Sequence, residues 1–387
     1  MARHAEIAGA GIAGLTAAAA LAQRGWSVTV HERDPEIRAY GAGIFIYENG
    51  LRVLEAVGAA ADATAGVDPP NRREARDRGN RAVSVSPLNR NPGDRVVTIL
   101  RQRLLLALRD AATRAGAEIV TSSSAVGATP GGEIILADQR RRQADLVIAA
   151  DGVHSRLRDG LGLLKLRRKL PEGGIRVIVP RHPEDFPEGS AVIEQWIGAR
   201  RIVCVPCDRE HVYIALGALI GDAEAISVPV RKSVWASDFP HFGSLLGRIG
   251  ENARWDQFEL LRLSRWSKGR VAILGDAAHA QPPNLGQGGG CSMMAALGLA
   301  VALDESREVE PALARWEQRE RPIVEHTQRI SMLYGRLTTW PPRLRNKALA
   351  LMHRWPWLNR QRLKTARHVP TGTLPTGTFA PGRFIAQ

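Results

Sequence analysis

No aspartate or glutamate follows Glu325: the final 62 residues carry 11 Lys and Arg and no acid. That absence decides how the formal charge of +14 on this 387-residue chain is read. Residues 1–325 hold 42 Lys and Arg against all 39 Asp and Glu, a net of +3, so the body is nearly neutral. A uniformly basic chain would point to nucleic acid or a charged surface. A neutral body with a basic end argues against nucleic acid as the body's partner. Cysteine is scarce as well: three residues cannot build a disulfide framework, and the odd number fits a reducing, cytoplasmic compartment. No run reaches the ~18 consecutive apolar residues of a spanning helix. Arg3-His4 and the Ala-rich run ending at Gln23 imitate a signal peptide, but Glu6 and three spaced glycines interrupt it. Aromatics are few (5%), yet 44% of residues are hydrophobic, enough for a large core and against disorder. The length suits two or three structural units.

Motifs for other chemistries are missing too. Cys204-Val205-Pro206-Cys207 has metal or redox spacing but no second pair, so these are read as structural cysteines and no metal site is expected. There is no nucleophile elbow for a Ser/His/Asp hydrolase.

What is present begins at residue 5. Ala5–Gly9 reads as a strand running into Gly9-Ala10-Gly11-Ile12-Ala13-Gly14, followed by an Ala/Leu-rich helix to about Arg24 with Gly25 as its stop. A second strand, Trp26–His31, ends on Glu32-Arg33, with Glu32 18 positions after the last glycine. This is a β-α-β dinucleotide fingerprint. Gly9 permits the tight turn, Gly11 lets the backbone approach a pyrophosphate, and Gly14 lets helix pack on strand. The helix N-terminus offers N–H groups and a positive dipole end to phosphate. Glu32 suits a free ribose hydroxyl. The fingerprint alone leaves FAD and NAD both open.

Two further strands end in aspartates. Ala144–Gly152 runs into Asp151-Gly152, and Arg270–Ala280 contains Gly275-Asp276-Ala277-Ala278-His279. The second leads through Pro282-Pro283-Asn284-Leu285-Gly286-Gln287-Gly288-Gly289-Gly290 into a helix of small apolar residues, Cys291 to Leu303. An aspartate at a strand's carboxyl end lies on the ligand side of an open α/β sheet. A glycine-rich turn opening a helix points amides at an anion. An NAD-dependent dehydrogenase would account for the first glycines but not for these two segments.

The fingerprint, Asp151-Gly152 and Gly275-Asp276, in this order, resemble the FAD-dependent aromatic hydroxylases, the single-component flavoprotein monooxygenases. The resemblance covers the chain to about residue 340. It implies a p-hydroxybenzoate-hydroxylase-like fold, α/β (α+β overall): a discontinuous FAD-binding Rossmann-like domain, a β-sheet substrate domain and C-terminal helices. It further implies FAD as cofactor, NADH or NADPH and O2 as co-substrates, and hydroxylation through a flavin C4a-hydroperoxide. By this similarity Asp276 holds the ribityl chain and Asp151 lies near the pyrophosphate and the nicotinamide path. Arg101, opening Arg101-Gln102-Arg103-Leu104, matches the family's cofactor-contacting arginine at a helix start. Gly286, Gly288 and Gly289 are expected to bind the cofactor, the Gly288-Gly289-Gly290 amides suit the reduced ring's anionic edge, and Pro283 walls its face. His279 is read as scaffold.

At finer grain the chain is similar to 2-methyl-3-hydroxypyridine-5-carboxylate oxygenase and 5-pyridoxate oxygenase, pyridine-ring oxygenases that open the ring. The residues that carry this are Ala39–Ile44, Asn49–Glu55, Ile175–Arg181, Arg201–Cys207 and Ser227-Val228-Pro229. The similarity implies substrate contacts from Arg176, Arg201, Tyr213 and Tyr47, with Tyr213 and Pro283 as the catalytic candidates; Tyr47-Glu48 stands beside the flavin in place of a Trp-His pair. A planar guanidinium matches a carboxylate or phenolate. The bland alternatives are a strand arginine paired to an internal acid and a tyrosine packed in the core. The segment Asn71–Arg76 departs from these oxygenases, being arginine-rich where they carry an aromatic. No general base is evident. The expected reaction is hydroxylation of an aromatic or pyridine carboxylate, with ring opening or, as in salicylate- and hydroxynicotinate-type hydroxylases, without it.

The expected organisation is an FAD-binding domain of 1–70, 97–165 and 265–320, a substrate domain of 71–96 and 166–264, C-terminal helices over 321–368, and a mobile tail over 369–387. The protein is expected to be a monomer or homodimer. In residues 340–367 tryptophans alternate with cations. Packing of those tryptophans on the body is the favoured reading over membrane or partner contact through the basic C-terminus.

Overall fold

The computed structural model describes residues 2–38 and 43–373, apart from the side chains of 353 and 354. The resemblance segment at 39–42 and the chain from 374 onward therefore lie outside the described residues.

His4–Ala8 pairs in parallel with Ser27–His31 on one side and Leu146–Ala149 on the other. Val271–Ile273 and Glu118–Val120 extend the sheet in parallel, and Ser267–Lys268 closes one edge antiparallel. Leu146–Ala149 and Val271–Ile273 are buried throughout, as strands of a parallel sheet covered on both faces must be. All eleven residues of the helix Ile12–Ala22 are buried. It is wedged between this sheet and the helices Arg101–Arg114 and Gly288–Asp304. Its alanines are the consequence, since larger side chains would force those neighbours apart.

The second layer is a seven-stranded sheet. Its strands run in the order Trp255–Leu263, Leu164–Pro180, His211–Leu219, Arg200–Pro206, Ala191–Ile197, Arg72–Arg76 and Ala82–Pro87. Arg72–Arg76 joins parallel to Ala191–Gln195, so the arginine-rich segment becomes part of the substrate-side sheet. The strand Leu164–Pro180 slips register between Lys169 and Gly173. A Cβ on Gly173 would strike the Trp255 ring and stand 2.6 Å from the Asp256 carbonyl oxygen, so no side chain fits there. Gly43–Tyr47 pairs with Val96–Leu100 between the two layers.

The helix Val309–Gly335 runs unbroken through position 320, where a domain boundary was expected. Helices Pro342–Arg354 and Pro356–Leu363 follow. The chain then returns across the body, and residues 369–373 do not behave as the expected mobile tail. Asn49 N–H donates to the Ala366 carbonyl (3.1 Å), and Thr371 Oγ1 donates to Glu320 (2.8 Å). Arg367 pairs with Asp94 at 2.6 Å. The tryptophans also depart from the favoured reading: Trp340, Trp355 and Trp357 are 43%, 56% and 55% exposed. Cys204, Cys207 and Cys291 are free and buried, and burial pushes Cys207 and Cys291 up to about 12.

Candidate active site

The fingerprint glycines divide into two kinds. Gly9 has φ +101°, and a Cβ there would lie 2.6 Å from the Ala150 carbonyl oxygen; a Cβ on Gly14 would collide with the Gly9 carbonyl oxygen. These two let the helix and the strands approach closely. At Gly11 a Cβ would meet nothing within 4 Å. The backbone there is bare because space lies in front of it, at the N-terminus of a buried helix. Glu32 is occupied locally, accepting from the N–H groups of Ala10 (2.8 Å) and Asp34 (3.1 Å). Arg33 points to solvent, its side chain 75% exposed.

One cavity opens between the two sheets. On the parallel-sheet side it is lined by Gly11, Ile12, Ala13, Arg101, Gly152, Asp276, Pro283, Gly286, Gly288 and Gly289. On the other side stand Arg176, Arg201 and Tyr213, so these sequence-identified residues converge. Asp276 is exposed to the open space although the chain around it is buried. Gly275 turns at φ +64°, where a Cβ would lie 2.6 Å from that of Ala13, locking the second aspartate turn onto the fingerprint helix. Asp151 sits just behind the lining. Its Oδ2 accepts from Arg156 N–H (3.1 Å), while Oδ1 is buried without a partner, and burial raises the carboxyl's pKa. Arg101 Nε is also buried and unpartnered; burial, and then Arg176 nearby, depress its pKa. Orphaned polar groups and open amides along this wall match a polyhydroxylated dinucleotide such as FAD.

The arginines expected to await a carboxylate already have partners. Arg176 Nη2 donates to Asp256 at 2.8 Å. Burial opposes its charge, but Tyr213 and Asp256 outweigh that and its pKa rises. Arg201 Nε lies 2.7 Å from Glu194, and its Nη1 donates to Asn284 Oδ1 (3.1 Å). Its guanidinium also stands 4.8 Å from the Trp196 ring centre. Burial would raise the Glu194 pKa, but Arg201 and Arg73 hold it below the usual carboxylate range. Tyr213 is buried, which raises its pKa and keeps the phenol neutral; its ring meets Phe45 edge-on at 6.1 Å.

Tyr47 is not where it was expected. It does not line the cavity but packs against Val96 and Ala366. Arg73 does line the cavity, and its Nε is buried without a partner. Three more lining residues were not foreseen. Asn284 Nδ2 donates to Glu172 Oε1 (3.1 Å), so Arg201, Asn284 and Glu172 form a hydrogen-bonded chain along the cavity wall. The Gln281 amide finds no partner beyond the Cys291 thiol. The signal for Asn284 and Gln281 was their place beside Pro283. Glu172 carries no such signal: it precedes Gly173-Gly174 inside one continuous strand, Leu164–Pro180.

His279 is buried with its ring tilted against that of Trp266. It lies 5.2 Å from the Trp266 ring, its Nε2 has no partner, and burial lowers its pKa to about 4. Among the described residues no group of His, Cys, Asp and Glu could hold a metal ion.

A family model described as an FAD binding domain matches residues 4–329. The chain is 43% identical over 356 residues to a 2-heptyl-3-hydroxy-4(1H)-quinolone synthase of Mycobacteroides abscessus, covering 91% of this chain and 95% of that protein. Among solved structures it is similar to 2-methyl-3-hydroxypyridine-5-carboxylic acid oxygenase, with 37% identity, a TM-score of 0.87 and coverage of 97% and 99%. That oxygenase has also been solved in a tetrameric form. The fold is shared with Klebsiella pneumoniae HpxO in complex with FAD and uric acid (23% identity, TM-score 0.81, coverage of 94% and 97%).

Proposed function

The chain belongs to the FAD-binding family of flavoprotein hydroxylases and is an FAD-dependent monooxygenase; from that premise we propose that it hydroxylates the ring of a nitrogen heteroaromatic bearing a keto or enol oxygen, a 4-quinolone before a pyridine carboxylate. The observation that carries this reading is the pairing of both strand arginines. Arg176 is held on Asp256 and Arg201 on Glu194, so each already has an acid as partner. A full carboxylate taken up by Arg201 would have to displace Glu194, a buried acid, at a cost of several kcal/mol. A neutral ring with one polar edge needs no displacement. The floor also suits a bulky ring system, since Gly173, Gly174, Ala199, Ala215, Gly217 and Ala218 are small, and Ile175, Val203, Leu216 and Phe258 are apolar. The 43% identity to a quinolone synthase agrees with this choice.

FAD, once bound and reduced, supplies the activated oxygen. This chain's residues bind and orient. Gly11, Ile12 and Ala13 present helix N-terminal amides to the pyrophosphate, Arg101 adds a cation, and Asp276 accepts from ribityl hydroxyls. Gly288 and Gly289, opening a 17-residue helix, offer amides to the negative edge of the reduced ring. Pro283 offers no N–H and keeps that wall dry. The nicotinamide of NADH or NADPH approaches past Asp151-Gly152. Tyr213, held neutral by burial, donates to the substrate oxygen, and Arg201, already aligned by Glu194 and Asn284, polarises it. Glu172 takes up the ring N–H or O–H proton as the ring becomes electron-rich.

Purified enzyme should accelerate NAD(P)H oxidation with a 2-alkyl-4-quinolone and yield a product heavier by one oxygen atom. A second reading, hydroxylation of a hydroxypyridine carboxylate with or without ring opening, is favoured by the unpartnered Arg73 Nε in the cavity and by the 37% identical oxygenase. Turnover with the pyridine acid and none with the quinolone would select it.

A further inference from the structure

Helix Pro342–Arg354 has two unlike sides. Arg345 and Leu349 are 1% and 2% exposed and face the body. Arg345 Nη1 donates to the Gly198 carbonyl (2.6 Å), and its guanidinium stands 5.2 Å from the Trp196 ring. The opposite side carries Leu344 and Leu351, 55% and 46% exposed, with Lys347 between them at helical spacing. Trp340 precedes this helix and Trp355 and Trp357 follow it, all largely exposed, so apolar surface continues around both ends. Soluble chains rarely leave so many large apolar side chains together in water.

The same surface is cationic. Arg336, Arg343, Lys347, Arg360 and Lys364 are exposed and make no ion pair among the described residues. No carboxylate side chain exists anywhere after Glu325 to pair with them. Indole rings and leucines interleaved with Lys and Arg suit the interface of an anionic bilayer, where rings sit at headgroup depth and cations meet lipid phosphates. A second copy of the chain is the poorer occupant, because a symmetric contact would set these cations against themselves. No helix among the described residues is long and apolar enough to cross a membrane, so the contact is peripheral.

We propose that the face formed by Trp340, helix Pro342–Arg354, Trp355 and Trp357 docks this enzyme on anionic lipid surfaces. The face connects directly to the cavity. Thr338, two residues before Trp340, lines it, and the Tyr334 hydroxyl donates to Glu194 at 3.1 Å. Docking would therefore bring the active site close to a membrane in which amphiphilic ring compounds concentrate. The inference holds whichever ring is hydroxylated, because it rests on the surface and not on the cavity.

The test is flotation of the full-length holoenzyme with vesicles of phosphatidylcholine containing phosphatidylglycerol, against phosphatidylcholine alone, with molar mass in solution measured by light scattering. The enzyme should float with the anionic vesicles, stay behind with the neutral ones, and be released by high salt. The pairs Trp355→Ser/Trp357→Ser and Arg343→Gln/Lys347→Gln should each lower partitioning on the order of tenfold while the flavin spectrum is retained. Failure to float with anionic vesicles, or undiminished flotation of both variants, overturns the proposal. So does a multimeric mass that falls to monomer in the tryptophan variant, which would make this face a contact between copies.

Discussion

Arg201 Nε lies 2.7 Å from a carboxylate oxygen of Glu194, and Glu194 is almost wholly buried. Tyr334 OH donates to the same carboxylate (3.1 Å), and Trp196 Nε1 does so at 3.1 Å. Arg73 and Arg362 add their charge from farther away. One anion thus holds the charge balance of a buried, arginine-rich wall.

Replacing it with a neutral isostere should show this. Glu194→Gln leaves several buried cations without their counter-ion, and breaking such a set costs about 3–5 kcal/mol. The expected outcome is a drop in Tm of many degrees, with substrate KM raised in whatever protein folds. An unchanged Tm would show that Arg201 is held by other contacts.

The fingerprint glycines give a separation that sequence alone could not. Gly14→Ala should destabilise the protein with or without flavin, by about 1–3 kcal/mol, because the new Cβ collides with the Gly9 carbonyl oxygen. Gly11→Ala has free space in the apo-protein, so its Tm without flavin should match wild type while FAD affinity falls about tenfold or more. Thermal melts of apo- and holoprotein for both variants check the pair. Equal losses in the apo-protein would contradict it.

This contrast marks how far the sequence could be read. The fingerprint, both aspartate turns and the fold class were legible because glycines and aspartates at strand ends answer to local backbone geometry. Arg176 and Arg201 were legible as cavity residues, but their partners were not. Asp256 lies 80 residues from Arg176, and the pair forms only when the strands Leu164–Pro180 and Trp255–Leu263 come together. Tyr47 was misplaced for a related reason. Phe45 and Tyr47 stand two residues apart on one face of their strand, ring centres 6.4 Å apart, and while Phe45 lines the cavity, Tyr47 at the strand's end packs against Ala366 of the returning chain. No local pattern announces that return. Glu172 was hidden by glycines that mimic a turn within a continuous strand.

Arg73 tests whether the arginine-rich departure from the pyridine oxygenases tunes specificity. Its guanidinium lines the cavity with Nε unpartnered, and its strand belongs to the substrate-side sheet. Arg73→Met should lower kcat/KM about tenfold, a loss of about 1.4 kcal/mol in transition-state binding, and leave FAD affinity unchanged. Steady-state kinetics over a substrate panel and flavin titration together check this. Loss of FAD with unaltered kinetics in the loaded fraction would assign Arg73 to the cofactor instead.

His279 supplies a pH dependence whose sign can be stated in advance. Burial lowers its pKa to about 4 in the folded protein, against an ordinary value of 6.5, so the native ring is neutral. Above pH 6.5 neither state binds the proton, and stability does not change through this group. As the pH falls below 6.5 the unfolded chain takes up a proton that the folded one refuses, and stability declines until about pH 4. A shift of this size corresponds to about 3 kcal/mol over the window. His279→Phe keeps a ring against Trp266 but cannot titrate. Urea denaturation at intervals between pH 7 and 4 should therefore show a shallower decline for the variant than for wild type. Parallel slopes would mean that His279 takes up its proton in the folded state as readily as in the unfolded one.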